Sequence, residues 1–375
     1  MYKNLFLPVS IITATIIGAG IFGLPYVFYK AGFVAGLFYL FLFTAVFIII
    51  HLMYADVISR TDNLHLFAGY AKIYLGETGK WLAALTSIVG MTLILTAYLI
   101  LAGKFVGLIF PSLSPTYSML IFWALASIPI FWGVQRLALS EFWITLCIVS
   151  IVFLIFFYGI GFTQNTSTVW AADFAYLFLP YGVVLFSLSG RSAIPAVIHY
   201  FQKNNELAKK AKQAIILGTA LPALIYIIFA IGIINISGTV SEDSLSGLMQ
   251  NLPLWLTWAL GLLGIISIWS TYATLGRDIR KSLEADFNFR IGWWPGITVS
   301  LLPLLIYLAG LRNFFQLISL VGGIFIGLES LFIVLIWQQA RKINPHKALL
   351  KKIPALVPYL LLIVFILGII LEIRK

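Results

Sequence analysis

Two short stretches of this sequence interrupt helix formation in the same way. One reads Gly18-Ala19-Gly20-Ile21-Phe22-Gly23-Leu24-Pro25, the other Ser187-Leu188-Ser189-Gly190-Arg191-Ser192-Ala193-Ile194-Pro195. In both, a Gly precedes a Pro by five positions, Gly20 to Pro25 and Gly190 to Pro195. Relative to Ala, Gly weakens a helix by ~1 kcal/mol and Pro by ~3 kcal/mol. A helix broken at mid-length bares N–H groups at the start of one half and carbonyls at the end of the other. The first attract a carboxylate, the second an ammonium or Na+, and a zwitterionic amino acid presents both charges. Gly18, Ala19, Gly20 and Ile21 are therefore candidates for the carboxylate. Phe186, Ser187, Leu188 and Ser189 are candidates for the amine and for side-chain contacts. The plainer alternative is that Gly lets helices pack and Pro only kinks them; the repetition at matching places favours functional breaks.

The elements that position these stretches follow from composition. Of 375 residues, 61% are hydrophobic and only 10% charged, against ~25% charged in a typical soluble domain. Mean hydropathy is +1.03. A water-soluble fold of this size cannot hide that much apolar surface, which excludes soluble enzymes and nucleic-acid-binding modules despite the net charge of +11. A membrane crossing needs ~20 apolar residues, and runs of that order fall at about 5–29, 33–58, 82–110, 117–134, 137–162, 171–199, 213–236, 252–275, 292–310, 314–338 and 354–372. The expected fold is an all-α integral membrane protein of about eleven transmembrane helices; the split at Gly133-Val134-Gln135-Arg136 is the weakest boundary. A β-barrel would show ~10-residue alternating segments, and these runs are continuous. The breaks fall in spans one and six, the positions that a five-plus-five inverted repeat requires. That predicts one repeat over 1–162, a second over 163–340, and a loop with an extra C-terminal helix over 341–375.

Charge sets the orientation. With the N-terminus inside, 18 of the 24 Lys+Arg fall on the inner side and five on the outer, with Arg191 inside a span. Basic residues favour the cytoplasm, so the expectation is a plasma-membrane protein with its N-terminus cytoplasmic and its C-terminus outside. The opening Met1-Tyr2-Lys3-Asn4 leads into an apolar run without a small-residue cleavage site and reads as a retained first helix. The one cysteine, Cys147, excludes an intrachain disulfide and a thiolate metal cluster.

A second set of residues suits ion chemistry. Ser267, Ser270 and Thr271 lie at i, i+3 and i+4, one face of span eight, and hydroxyl oxygens suit a hard cation. Such groups also bond back to their own turn or join neighbouring helices. Proton coupling would need an ionisable carrier at depth, and the candidates are His51, Asp56 and Glu329, with Arg191 as partner or gate; the only charge of span five is Glu141. Ionisable groups at depth cost at least ~2.5–3.5 kcal/mol and are functional suspects. Asp56 near a span end and His51 as a neutral packing residue also have plain structural readings. Aromatics are 15% of the chain. Most belong to lipid and interface positions; Phe22, Phe186, Tyr98 and Trp269 are candidates to line a pocket.

The stretch GAGIFGLPYVFYKAG (18–32) resembles the first-helix signature of amino acid permeases in the amino acid–polyamine–organocation superfamily, most like the amino acid/auxin and aromatic amino acid (tryptophan/tyrosine) permease branch. HLMYADVISRT (51–61), HLFAGYAKIYLG (65–76) and FLPYGVVLFSLSGRSAIP (178–195) extend the resemblance. It implies the LeuT-type fold, two inverted five-helix repeats and alternating access. By similarity to sodium-coupled members, a cation would lie among Ala14, Ile17, Ser267, Ser270 and Thr271. Aromatic permeases usually carry a His just after the sixth-helix break, where this chain has Arg191. The Asp-Pro-Gly and Met-Pro-His motifs of the metal-transporting branch do not occur, which disfavours metal transport.

The reading of function is then a symporter of a neutral amino acid, aromatic ones included, driven by Na+ or H+ and without a cofactor. A polyamine or other organic cation carrier would want acids at the breaks. An amino-acid sensor would typically carry a soluble extension. A membrane enzyme would need a polar cluster, but the four His are scattered and no P-loop is present. The expected partners are a small solute and the bilayer, with no nucleic acid; the sequence leaves open which amino acid, which ion and the oligomeric state.

Overall fold

Apolar runs long enough to cross a bilayer must satisfy every main-chain polar group internally, and helices do so segment by segment. The computed structural model describes residues 3–131, 137–161, 172–203, 207–237, 239–244, 246, 248, 252–287, 289, 292–345, 349–350 and 353–374, and every regular element among them is helical. The boundary at Gly133–Arg136 and the Glu141 side chain lie outside the described residues.

Helix α1 (Lys3–Ile16) stops at Ile16 and α2 (Leu24–Ala31) resumes after a 3-10 turn at Ala19–Phe22. The two halves meet at 52°. Helix α3 (Phe33–Arg60) returns, followed by α4 (Phe67–Ile109), α5 (Pro115–Phe131) and α6 (Leu137–Ile160). The second interruption separates α7 (Pro180–Leu188) from α8 (Ile194–Lys203). There Ser189 is extended and Arg191–Ala193 forms a 3-10 turn. The remaining helices are α9 (Leu207–Ile236), α10 (Leu254–Asp286), α11 (Trp294–Leu308), α12 (Phe314–Leu320), α13 (Gly327–Ile343) and α14 (Leu356–Ile373). One turn of π-helix, Val321–Ile326, joins α12 to α13.

Eight of the described helices, counting joined halves together, are long and apolar enough to span, and the bent pair α1/α2 makes nine. Two more apolar helices, α5 and α11, are 17 and 15 residues long. Three expected boundaries shift. Helix α10 runs to Asp286 because its last turns are amphipathic, with Arg280 paired to Glu284 at i+4; an apolar-run criterion stops at the first charges. The third span starts at Phe67, ahead of a kink at Gly76, whose φ of 78° only glycine takes without strain. The sixth starts at Pro180, because Asp173 instead caps a 3-10 turn at Phe174–Tyr176.

Small residues let the halves approach. A Cβ on Gly182 would collide with the Ser319 carbonyl, and one on Gly322 with the Gly182 carbonyl, so α7 lies backbone to backbone against α12 and the π turn. Large exposed apolar side chains such as Phe38, Phe157 and Leu356 cover the outside, where lipid replaces water.

Asp56 belongs to this scaffold. Its carboxylate accepts from Arg60 Nε (2.8 Å), Trp337 Nε1 (2.8 Å) and the N–H groups of Leu349 (2.6 Å) and Leu350 (2.9 Å). It thus pins the end of α3 to α13 and to the segment before α14. Removing one partner of such a buried pair costs about 3–5 kcal/mol, more than replacing both by apolar groups. We expect Asp56→Ala to lower the melting temperature in detergent, and Asp56→Leu combined with Arg60→Met to recover part of the loss; equal melting of wild type and Asp56→Ala would refute the pin.

Candidate functional site

The two breaks face each other. The Ser187 hydroxyl lies 3.0 Å from the Gly20 carbonyl and 2.7 Å from the Val183 carbonyl, so one hydrogen serves a bond across the breaks or back along α7. A Cβ on Gly20 would stand 2.6 Å from the Ser187 Cα. Only glycine permits this approach of one interrupted helix to the other. On the opposite flank the Tyr98 hydroxyl meets the Ala19 backbone and the Thr271 side chain, and a Cβ on Gly18 would reach that hydroxyl at 2.6 Å.

Both breaks open on one cavity of about 50 Å³. Its wall includes Gly18, Gly20, Phe186, Ser189, Tyr98, Thr271, Arg191 and Glu329, eight residues singled out from the sequence. It also includes Met91, Phe325 and Ile326, which no local pattern in the sequence announced. Ala19, Ile21 and Leu188 are buried without reaching the cavity wall. The Ser187 hydroxyl is engaged between the breaks. Phe22 packs into the core against Phe105 (4.7 Å between centroids) and Phe229 (5.7 Å). Trp269 is a correction to the sequence reading: it is 47% exposed on the far side of α10 from buried Ser267 and Thr271, because residues two apart on a helix point in nearly opposite directions.

One ion pair stands in the cavity wall. Arg191 Nε donates to Glu329 Oε2 at 3.0 Å and Nη2 to Oε1 at 3.0 Å. Nη2 also donates to Ser87 Oγ at 2.8 Å, and the guanidinium lies 4.4 Å from the Phe67 ring centroid. This is the parallel two-bond geometry that makes Arg–carboxylate pairs strong. Nε and Nη2 of Arg191 are both engaged, which favours a structural or gating pair over a free anion receptor. His51 and Asp56 are not part of the cavity wall. His51 Nδ1 lies 3.0 Å from Thr219 Oγ1, while its Nε2 has no hydrogen-bond partner among the described residues.

The hydroxyl face of α10 borders a second, water-sized space of about 10 Å³, lined by Ala14, Thr15, Ser192, Ser270, Thr271, Thr274 and Leu275. Ala14, Ser270 and Thr271 were in the expected ion set. Ile17 and Ser267 do not line it, and the Ser267 hydroxyl donates to Gly264 O at 3.0 Å. Thr271 donates to Ser267 O at 3.0 Å and Thr15 to Ile11 O at 2.8 Å, so each hydroxyl oxygen keeps a lone pair as acceptor, on Thr271 besides the one facing Tyr98. Thr274 continues the Ser267–Ser270 face by one turn and was findable by spacing. No three His, Cys, Asp or Glu side chains converge among the described residues, so donors here are hydroxyl and main-chain oxygens.

Farther along α4, Lys104 pairs with Asp243 of the segment after α9. Burial pushes the Asp243 carboxyl up, but Lys104 and the Ser246 N–H and hydroxyl outweigh it and hold it well below the usual carboxylate range.

Residues 1–275 match the tryptophan/tyrosine permease family. The chain belongs to that family. No curated protein sequence matches it. Among solved structures this permease is similar to MhsT in complex with L-phenylalanine, with 15% identity, TM-score 0.71, and 100% of this chain and 98% of that one covered. It is similar to Mhp1, a nucleobase-cation-symport-1 family transporter with bromovinylhydantoin bound (13%, TM-score 0.66, 98% and 91% covered). It is also similar to the manganese transporter of Eremococcus coleocola (12%, TM-score 0.69, 99% and 86% covered). The permease therefore has the LeuT-type architecture and is a membrane transporter, not an enzyme. At these identities the likeness carries the fold and leaves the substrate to the site.

The geometry separates two glycines. Gly20→Val drives a side chain into the Ser187 backbone, whereas Gly18→Ala meets only the movable end of Tyr98. We expect Gly20→Val to abolish solute binding by protein that still elutes as a folded monodisperse species, and Gly18→Ala to leave measurable binding. Unchanged solute binding by Gly20→Val would show that the breaks do not form the site.

Proposed function

We propose that this permease is a secondary transporter that carries a neutral amino acid, aromatic ones included, by alternating access and symport of Na+ or H+. The observation that carries the reading is the opening of both helix breaks on one cavity. The Gly20 N–H, in the first positions of the turn at Ala19–Phe22, has no acceptor within it and would hold the carboxylate where Gly18 and Gly20 line the cavity. The carbonyl end of α7, Phe186–Ser189, would draw the ammonium. Glu329 is the acid on the cavity wall, and Arg191 neutralises it; this favours a zwitterion over a polyamine. The family name and the phenylalanine bound to MhsT favour an aromatic side chain, and Phe186, Tyr98, Met91 and Phe325 supply an apolar lining. The cavity's 50 Å³ is well below the ~300 Å³ at which ligand pockets begin, so rings such as Phe186 and Phe325 must turn aside to admit the solute.

In this reading α5 and α11 are spans, the count is eleven, and α1/α2 and α7/α8 are spans one and six of repeats over 1–162 and 163–340, with α14 appended. The distribution of basic residues supports an N-terminus in the cytoplasm and a C-terminus outside, in the plasma membrane. Arg191 and Glu329 then lie on the cytoplasmic side of the breaks and gate that exit. A Na+ ion would sit among Ala14, Ser270 and Thr271.

Uptake into proteoliposomes of a panel of labelled amino acids, under separately imposed Na+ and proton gradients, tests the reading. At least one neutral amino acid is expected to accumulate under one gradient; accumulation of none, in sealed vesicles of known orientation, contradicts it. If sodium drives uptake, Thr271→Ala should raise the Na+ concentration for half-maximal rate about tenfold, the worth of one hydrogen-bond-like contact. An unchanged requirement would take the small cavity out of the coupling path.

A further inference from the structure

Tyr226, on α9, is fully buried, and its hydroxyl lies 2.9 Å from the Ile16 carbonyl and 2.7 Å from the Ser187 carbonyl. Ile16 closes α1 and Ser187 lies one residue from the end of α7. Final carbonyls of a helix lack intrahelical donors and carry the negative end of its dipole. In broken membrane helices they are the groups that coordinate cations. Here the point between two such carbonyls, one from each broken helix, is filled by a neutral oxygen.

A phenol has one hydrogen to donate, so Tyr226 serves the two carbonyls in turn. Ile16 O has a second donor, the Gly18 N–H at 2.8 Å. Ser187 O keeps a lone pair besides the one facing Tyr226. The same face of α9 grips the breaks above and below: Phe229 packs edge-on against Phe22, and the Gly218 carbonyl accepts from Thr13 Oγ1 at 3.3 Å. Tyr226 does not line the cavity; it acts from behind the breaks.

We propose that Tyr226 is a positioning residue of the binding site: its hydroxyl, standing where a cation would otherwise bridge the final carbonyls of α1 and α7, holds the two breaks at the separation the solute requires. The role rests on the reading of the breaks as the solute site. It also means that no cation binds between these carbonyls, so ion coupling runs through another point of the molecule.

Tyr226→Phe removes one oxygen and keeps the ring. Amide hydrogen exchange on purified protein in lipid nanodiscs, without solute, should quicken about tenfold at 14–23 and at 186–194 together, with α10 and α13 unchanged, as loss of one hydrogen bond dictates. Uptake by the same variant should show KM raised about tenfold with kcat within twofold, because the loss falls on binding geometry. Unchanged exchange at either break overturns the proposal. So does an unchanged KM, or faster exchange throughout the molecule, which would mark Tyr226 as a general packing residue. Wild-type protein that takes up no amino acid would sink the transport reading instead; the exchange comparison needs no solute and still decides whether the hydroxyl holds the breaks.

Discussion

In hydrocarbon, a main-chain N–H or C=O without a partner costs several kcal/mol, and this protein is arranged around two places where helices stop short of the far side. Each interruption is tolerated because the other lies against it. The Ser187 hydroxyl reaches the Gly20 carbonyl, Tyr226 stands between Ile16 and Ser187, and Tyr98 meets Ala19. Three hydroxyls thus take up much of what the breaks expose. What they leave is directed into one cavity, and in the proposed function a small dipolar solute completes the set.

The surroundings divide into parts that hold and parts that can yield. The Asp56 cluster, with four donors on one carboxylate, fixes the end of α3 to α13. The contact of Gly182 and Gly322 leaves no side chain between α7 and the π turn. π turns are frequent at functional sites, and this one contributes Val321, Phe325 and Ile326 to the cavity wall. It leads directly into α13 and Glu329, so the ion pair with Arg191 links a break to the one irregular stretch of the α12–α13 rod. A shift of the π turn would move Glu329 and strain both hydrogen bonds at once.

Much of this was legible in the sequence. Long apolar runs placed the helices, because lipid demands length and leaves little choice of structure. Gly-to-Pro spacing marked both breaks, since both residues act locally on backbone geometry. Legibility fell where the answer depended on a partner far along the chain. Asp56, His51 and Glu329 share the same signal, an ionisable group at depth. Yet one anchors a loop, one meets Thr219, and one faces Arg191. Trp269 looked apt beside the α10 hydroxyls, but helix rotation turns it outward. Tyr226 carries no local cue, because its role exists only once α1 and α7 meet in front of α9.

The central claim is that main-chain groups at facing breaks read both charges of a zwitterion. Competition against uptake of the best labelled amino acid tests it most directly, with three unlabelled competitors: the amino acid, its deaminated carboxylic acid and its decarboxylated amine. Each charge lost removes charge-assisted hydrogen bonds worth about 1.5–3 kcal/mol apiece, so the deaminated acid, which lacks the ammonium, and the amine, which lacks the carboxylate, should each compete at least about 100-fold more weakly than the parent. Competition by the amine at the concentration that suffices for the amino acid would show that the first break does not hold a carboxylate, and the account would fail at its base.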